Sequence, residues 1–206
     1  MRTIGLVGGV ASGKSLAAKI LVDLGAGLLD ADRTGHAVLA DNAEVHEKLR
    51  QRWGDAIFST EGTVDRAALA RLVFANRSRA DADREFLEEI LHPRIRRRLE
   101  TLRDQFAAEG KPAVVLDAPL LFESGWNSMC DILVMIDSDR ALRLERARAR
   151  GWNDAEFAKR EAAQWPIDKK RLAADVIISN NGTADDLRRE VEAFWQNDLP
   201  PGQSVA

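Results

Sequence analysis

The chain has 206 residues, 45% hydrophobic and 31% charged, and its 30 Lys and Arg against 33 Asp and Glu give a net charge of −3. A chain this long buries roughly 70% of the surface it exposes when unfolded, so its core needs no structural metal or disulfide, and its one cysteine, Cys130, has no internal partner, which favours a reducing, cytoplasmic home. The near-neutral charge gives no global positive field for nucleic acid or an anionic membrane, and no apolar run approaches the roughly 18 to 20 residues that span a bilayer.

Residues 3–7 (TIGLV) predict a short buried strand, too brief and too soon broken by glycine to be a signal peptide. It runs into Gly8-Gly9-Val10-Ala11-Ser12-Gly13-Lys14-Ser15, which fits the pattern G-x-x-x-x-G-K-[ST]. In such a loop the glycines let the backbone curl so that successive N–H groups point at a phosphate chain, and the dipole of the following helix adds partial positive charge. Lys14 is expected on the β- and γ-phosphates of a nucleotide, and the Ser15 hydroxyl on Mg²⁺. Apolar spacing predicts the helix over 15–24 and a second strand over 27–29, ending at Asp30-Ala31-Asp32. Ligands of open α/β sheets bind outside the carboxyl ends of the strands. Residues i and i+2 on extended chain share a side, so both carboxylates are expected to face the phosphate loop, with Asp32 accepting or orienting the proton of an attacking hydroxyl. An Asp ahead of Arg33-Thr34-Gly35-His36 also suits a helix N-cap.

From about residue 33 to 109 the pattern is helical with no convincing strand: a helix over 65–75 capped by Thr63, then helices over 79–91 and 94–108 separated at His92-Pro93, because proline disfavours helix in the residue before it. An insertion of about 75 residues is too long for a loop and reads as a helical subdomain closing over a substrate. Within it, His36 and His46 have no partner that the sequence names, and His92 taken alone reads as a capping or core residue. Arg94-Ile95-Arg96-Arg97-Arg98 reads as an exposed helix face.

The third strand, 113–117, ends at Asp117, as the strand bearing a metal-side carboxylate does in nucleotide-binding sheets. The following Pro119, Leu120, Leu121 and Phe122 either wall an acceptor site with Glu123 at its rim or form a buried turn. Trp126 and Trp165 read as packing residues. After a strand over 132–137, a helix over 140–150 places Arg143, Arg146 and Arg150 on one face and Arg148 elsewhere. Guanidiniums there suit a lid that neutralises a transferring phosphoryl group, with Arg146 the foremost candidate. A helix over 154–164, a strand over 175–179 and a helix over 184–196 complete the chain, and the polar, Pro/Gly-rich end reads as a mobile tail.

The reading is an α/β fold in which a parallel sheet is covered by helices on both faces. No guanine-reading Asn-Lys-x-Asp is present, and the short length, helical insertion and late arginine-rich helix favour a small-molecule kinase over a signalling switch.

In order and spacing, the phosphate loop, Asp30-Ala31-Asp32, Leu91-His92-Pro93, Pro119 to Glu123, Arg160 through Ala163-Gln164, and Ala174-Asp175 leading to Asn180-Asn181-Gly182 resemble the dephospho-CoA kinase family. That resemblance runs from Thr3 to about Phe194. It implies a P-loop kinase fold, with a five-stranded parallel sheet flanked by helices, a helical substrate-binding insertion and a lid. The implied reaction is transfer of the γ-phosphoryl of ATP, with Mg²⁺, to the 3′-hydroxyl of the small molecule dephospho-CoA, giving coenzyme A. Asp32, Lys14 and Arg146 would be catalytic. Gly8 through Leu16 would bind ATP, with Asn181 near the adenine. Asp32, His92 and Pro119 to Glu123 would bind the acceptor. On this reading residues 1–206 are one unit, with a core of 1–31, 112–139 and 172–196, a substrate subdomain at 32–111, a lid at 140–171 and a mobile tail at 197–206. Leu16 stands where the family has threonine, and His36 where an arginine often follows the Asp-Ala-Asp segment. The rival readings are another P-loop nucleotide or metabolite kinase and a non-catalytic ATP-binding regulator.

Overall fold

The computed structural model describes residues 1–73 and 80–198. The chain runs β1 (Arg2–Gly8), α1 (Lys14–Asp23), β2 (Gly27–Asp30), α2 (Ala31–Asp41), α3 (Ala43–Trp53), α4 (Arg66–Val73), α5 (Ala80–Ala108), β3 (Ala113–Asp117), β4 (Ile132–Asp137), α6 (Arg140–Ala149), α7 (Asp154–Ala162), α8 (Ile167–Ala173), β5 (Val176–Ser179) and α9 (Ala184–Asp198). It divides into two compact units, 1–30 with 102–206, and 31–101.

The first unit is built on a five-stranded parallel sheet in the order β2-β3-β1-β4-β5. β1 lies at the centre, and from Thr3 onward its residues are buried on both faces, which is why TIGLV is a continuous apolar run and not an alternating one. Gly5 is required there, since a Cβ would lie 2.6 Å from Cys130 Sγ. Ile4, Leu6, Val134 and Ile136 from the sheet pack with Ala17, Ile20 and Leu21 of α1 and with Leu187, Val191 and Phe194 of α9. Burial of each large side chain contributes about 1.5–3 kcal/mol. The chain places β3 on one side of β1 and β4 on the other, so the crevice at the carboxyl end of β1 is a topological switch point. The expected strands all form, with ends shifted by at most one residue.

The second unit is helical, as expected, with different internal boundaries. No break occurs at His92-Pro93: α5 runs unbroken for 29 residues with Pro93 inside it. An interior proline costs about 3 kcal/mol. Leu91, Ile95 and Leu99 recur every fourth residue and are buried, and the Ile95 side chain fits closely against Gly35 of α2, so apolar burial offsets that cost. Arg94 Nη1 also donates to Ile90 O at 2.8 Å, satisfying a carbonyl in the turn the proline disturbs. Thr63 does not cap α4. Asp65 does, its Oδ1 accepting from Ala67 N at 2.9 Å and Ala68 N at 3.0 Å, while Thr63 Oγ1 bonds Ser59 Oγ. Residues 74–75 of the expected helix 65–75 and residue 79 of the expected helix 79–91 lie outside the described residues. At the other end α9 continues through Asp198, so residues 197 and 198 belong to a helix and not to a tail. The rest of the expected mobile tail, 199–206, lies outside the described residues.

Candidate active site

The loop between β1 and α1 has the backbone its sequence demands. Gly8 and Gly13 hold φ of 151° and 102°, and Ala11 alone among the described non-glycine residues has a positive φ, 59°. A loop that turns its N–H groups inward must turn carbonyls toward the protein, and buried carbonyls need donors. Four side chains supply them. Lys14 Nζ donates to Gly8 O at 3.3 Å and Gly9 O at 3.1 Å, and Lys170 Nζ of α8 donates to the same Gly8 O at 3.2 Å. Arg143 Nη1 of α6 reaches Val10 O at 3.3 Å, and Asn180 Nδ2, just beyond β5, reaches Ser12 O at 2.7 Å. The fit is close on the protein side: a Cβ on Gly9 would lie 2.6 Å from Arg143 Nη1, and one on Gly13 would lie 2.2 Å from Asn180 Nδ2. Ser12 Oγ is buried with no hydrogen-bond partner among the described residues.

Helix α6 distributes its arginines unequally. Arg143 is 4% exposed and bonds Ser138 O and Glu161 Oε1 besides Val10 O. Arg146 donates to Ser138 Oγ at 3.0 Å and Asn180 O at 2.9 Å, so it joins the loop through Asn180. Arg150 caps the exposed end of α6, and Arg148 pairs with Asp154. Asn181 Oδ1 accepts from Asp139 N at 2.8 Å, tying the turns after β4 and β5 together. Ser15 and Leu16 are exposed on the first turn of α1.

On the other side of β1, Asp30 and Asp117 stand in register at the carboxyl ends of neighbouring strands. Beyond Asp117, Pro119 and Leu120 are exposed while Leu121 and Phe122 are buried. This segment is fastened to the turn between α7 and α8. Phe122 stacks on Trp165 with centroids 4.6 Å apart and planes 5° from parallel, Glu123 Oε1 accepts from Trp165 N at 2.5 Å, and Gln164 Nε2 donates to Pro119 O at 3.2 Å. Lys169 Nζ lies 3.3 Å from the Trp165 ring centroid.

Burial and neighbouring charge lower two of the lysines. Burial, then the charge of Lys170, brings Lys14 down from 10.5 to about 8, with Arg143 and Arg150 adding to the effect and Asp117 opposing it. Lys170 is lowered as well, chiefly by burial. Basic side chains thus gather at the loop inside a chain whose net charge is −3, with Asp117 and Glu123 as nearby opposing charges.

In the second unit, Asp32 does not lie on extended chain. α2 begins at Ala31, directly after β2, so Asp32 is an exposed residue of the first helical turn and the i, i+2 relation to Asp30 does not hold. His92 lies half-buried within α5, and desolvation lowers its pKa. His36 Nε2 accepts from Arg66 at 2.5 Å, and His46 Nε2 donates to Leu39 O at 2.8 Å, giving both histidines the partners that the sequence did not name.

Lys170 is invisible to sequence reasoning, because Lys169-Lys170-Arg171 looks like a solvated basic run. Asn180 was named without the structural role it has, since an amide in a turn carries no signal of the carbonyl it will meet.

The family model for dephospho-CoA kinase matches residues 2–186. The chain belongs to the dephospho-CoA kinase family. It is 40% identical over 197 residues to the dephospho-CoA kinase of Symbiobacterium thermophilum, covering 95% of this chain and 81% of that one. The dephospho-CoA kinase of Geobacillus kaustophilus is 37% identical over 93% of this chain and 94% of its own. Among solved structures, dephospho-CoA kinase from Campylobacter jejuni superposes with a TM-score of 0.72 at 26% identity, covering 96% of each chain. The sequence resemblance and the P-loop kinase fold it implied are thereby established, and the family is one of ATP-dependent kinases that phosphorylate a hydroxyl group.

Proposed function

We propose that this chain transfers the γ-phosphoryl group of ATP to the 3′-hydroxyl of dephospho-CoA, giving coenzyme A and ADP. The observation that carries this reading is the pinned phosphate loop at the switch point of the sheet, in a chain matched by the family model from residue 2 to 186. With Gly8 O, Val10 O and Ser12 O held by Lys170, Arg143 and Asn180, the loop presents its N–H groups with little reorganisation, the condition under which fixed dipoles stabilise developing charge best. Lys14 turns from Gly8 O and Gly9 O to the β- and γ-phosphates, and backbone groups from Gly8 through Leu16 bind the phosphate chain. Asn181 flanks the adenine. Arg146, joined to the loop through Asn180 O, acts as the lid arginine.

Asp32, two residues beyond the end of β2, takes the proton of the acceptor hydroxyl as the new P–O bond forms and the bond from the γ-phosphorus to its bridging oxygen breaks. Pro119, Leu120, Leu121, Phe122 and Glu123 of the first unit are proposed as acceptor-binding residues, and His92 is proposed as an acceptor-binding residue of the second. The oxygen donors available, the Ser15 hydroxyl and the carboxylates that end β2 and β3, suit a hard cation. Among the described residues no three His, Cys, Asp or Glu side chains gather to hold a metal, so Mg²⁺ would rest on Ser15, a strand-end carboxylate and phosphate oxygens. Mg²⁺ held there would supply charge neutralisation to the phosphates. The cytoplasm is the proposed location, supported by the single cysteine, Cys130, which has no partner for an internal disulfide.

A coupled assay of ADP release with ATP, Mg²⁺ and a panel of acceptors tests the reading. Release that depends on dephospho-CoA is expected. Release that depends on AMP or a sugar, and not on dephospho-CoA, would overturn it, and no turnover with any acceptor would point to a regulator.

A further inference from the structure

Lys170 breaks the pattern of its own helix. On α8 it is 3% exposed while Leu172, two residues on, is 89% exposed, so the fold puts a leucine in water and an ammonium inside. Its bonded acceptors are both neutral: Gly8 O at 3.2 Å and Gln164 Oε1 at 2.8 Å. Neither Lys170 nor Lys14 forms an ion pair with any carboxylate among the described residues. Glu123 attracts Lys170 at longer range, but its carboxylate is engaged by Trp165 N. A buried cation without a paired anion is costly, and an anion that arrives beside it offsets that cost. An ammonium also has three donors, and two acceptors leave one to spare. Lys14 and Lys170 meet on the same Gly8 oxygen and line one recess with Pro119, Phe122 and Glu123. Two like charges converge where the loop begins, and a phosphate group would relieve both.

We propose that Lys170 is a second phosphate-binding lysine, which contacts the terminal phosphoryl group of the bound nucleotide beside Lys14, with Gln164 as its positioning residue. Gln164 is suited to this because its two ends act at once: Oε1 accepts from Lys170 while Nε2 donates to Pro119 O. The segment fastened by Phe122 and Trp165 thereby sets the height of the ammonium above the loop. A cation aimed at the third phosphate distinguishes ATP from ADP, whereas one that merely braces Gly8 O supports both nucleotides alike. This inference rests on the reading of the loop as the ATP site of a kinase.

Lys170→Gln removes the charge and keeps an N–H able to reach Gly8 O. Calorimetric titration with ADP and with a non-hydrolysable ATP analogue is expected to show the analogue weakened about tenfold or more and ADP within about threefold, with kcat in the coupled assay reduced on the order of a hundredfold. Equal weakening of the two nucleotides, or no change in either, would show a brace and overturn the proposal. Lys170→Arg keeps the charge and provides the check if the glutamine variant does not fold. A preference for the analogue over ADP close to the wild type's supports phosphate contact, and equal loss of both nucleotides refutes it. The binding comparison needs no acceptor. A wild-type protein that prefers the ATP analogue yet phosphorylates no dephospho-CoA would therefore overturn the proposed reaction and leave the role of Lys170 standing.

Discussion

Raising the pH through 8 perturbs one group in the site above all, the Lys14 ammonium, which burial and the neighbouring charge of Lys170 lower from 10.5 to about 8. Phosphates favour the protonated form, so nucleotide binding restores what folding takes away. At pH 7 about nine-tenths of the free protein carries the proton and at pH 9 about one-tenth. ATP is ionised throughout this range, the second ionisation of a phosphate lying near 6, so the change belongs to the protein. Affinity for ATP is expected to fall about tenfold between pH 7 and pH 9, roughly 1.4 kcal/mol, with uptake of about half a proton per nucleotide at pH 8. Calorimetry in two buffers of different ionisation enthalpy measures both quantities. Lys170, also lowered, contributes with the same sign, and Lys14→Arg, which keeps its charge across the range, isolates the Lys14 part. The stability of the nucleotide-free protein runs the other way. Between about pH 8 and 10.5 the unfolded chain holds a proton at Lys14 that the folded chain has lost, so this group adds stability as pH rises through that window, by up to about 1.4 kcal/mol per unit. An ATP affinity constant within twofold from pH 7 to 9.5, with no proton uptake, would rule out Lys14 as a group that titrates in this range and couples to nucleotide.

Further expectations concern single positions. Gly9→Ala puts a methyl 2.6 Å from Arg143 Nη1, and is expected to destabilise the protein by about 1–3 kcal/mol in denaturant melts and to weaken ATP binding. Combining it with Arg143→Ala should relieve the clash but not the affinity, since Val10 O loses its donor. Asp32→Asn is expected to lower kcat by a factor on the order of 10² to 10⁴ with ATP affinity changed less than about fivefold, measured by the coupled assay and by nucleotide titration; unimpaired turnover would remove Asp32 from the proton transfer. Cys130, raised to about 12 by burial, should resist thiol reagents at pH 8 in the native state and react at once in denaturant.

What the sequence makes legible here is whatever depends on neighbours along the chain. The five strands, the phosphate loop and most of the amphipathic helices follow from local spacing, whereas α8, which carries Lys170, matches no helix that the spacing predicts. The failures share a cause as well. The expected break at Pro93 ignored that Leu91, Ile95 and Leu99 would be buried together, and the expected Thr63 cap lost to Asp65, which sits two residues nearer the helix it caps. Asp32 was assigned to extended chain because nothing in Asp30-Ala31-Asp32 says that the helix starts without a linker.

The arginines and lysines are the deeper case, because a count of charges treats them as solvated. Yet the phosphate loop itself requires otherwise. Turning N–H groups inward toward a ligand turns carbonyls outward toward the sheet and its helices, and in a dry interior those oxygens must be met by donors. A lysine or arginine meets them with a long stem and several N–H groups, and leaves its positive charge beside the phosphates. The buried Arg143 and Lys170, which look anomalous one at a time, are thus consequences of the loop that was legible first. The loop motif predicts that such donors exist later in the chain. Which residues supply them is decided by how α6, α8 and the turn after β5 pack against the end of β1, information that no local stretch of sequence contains.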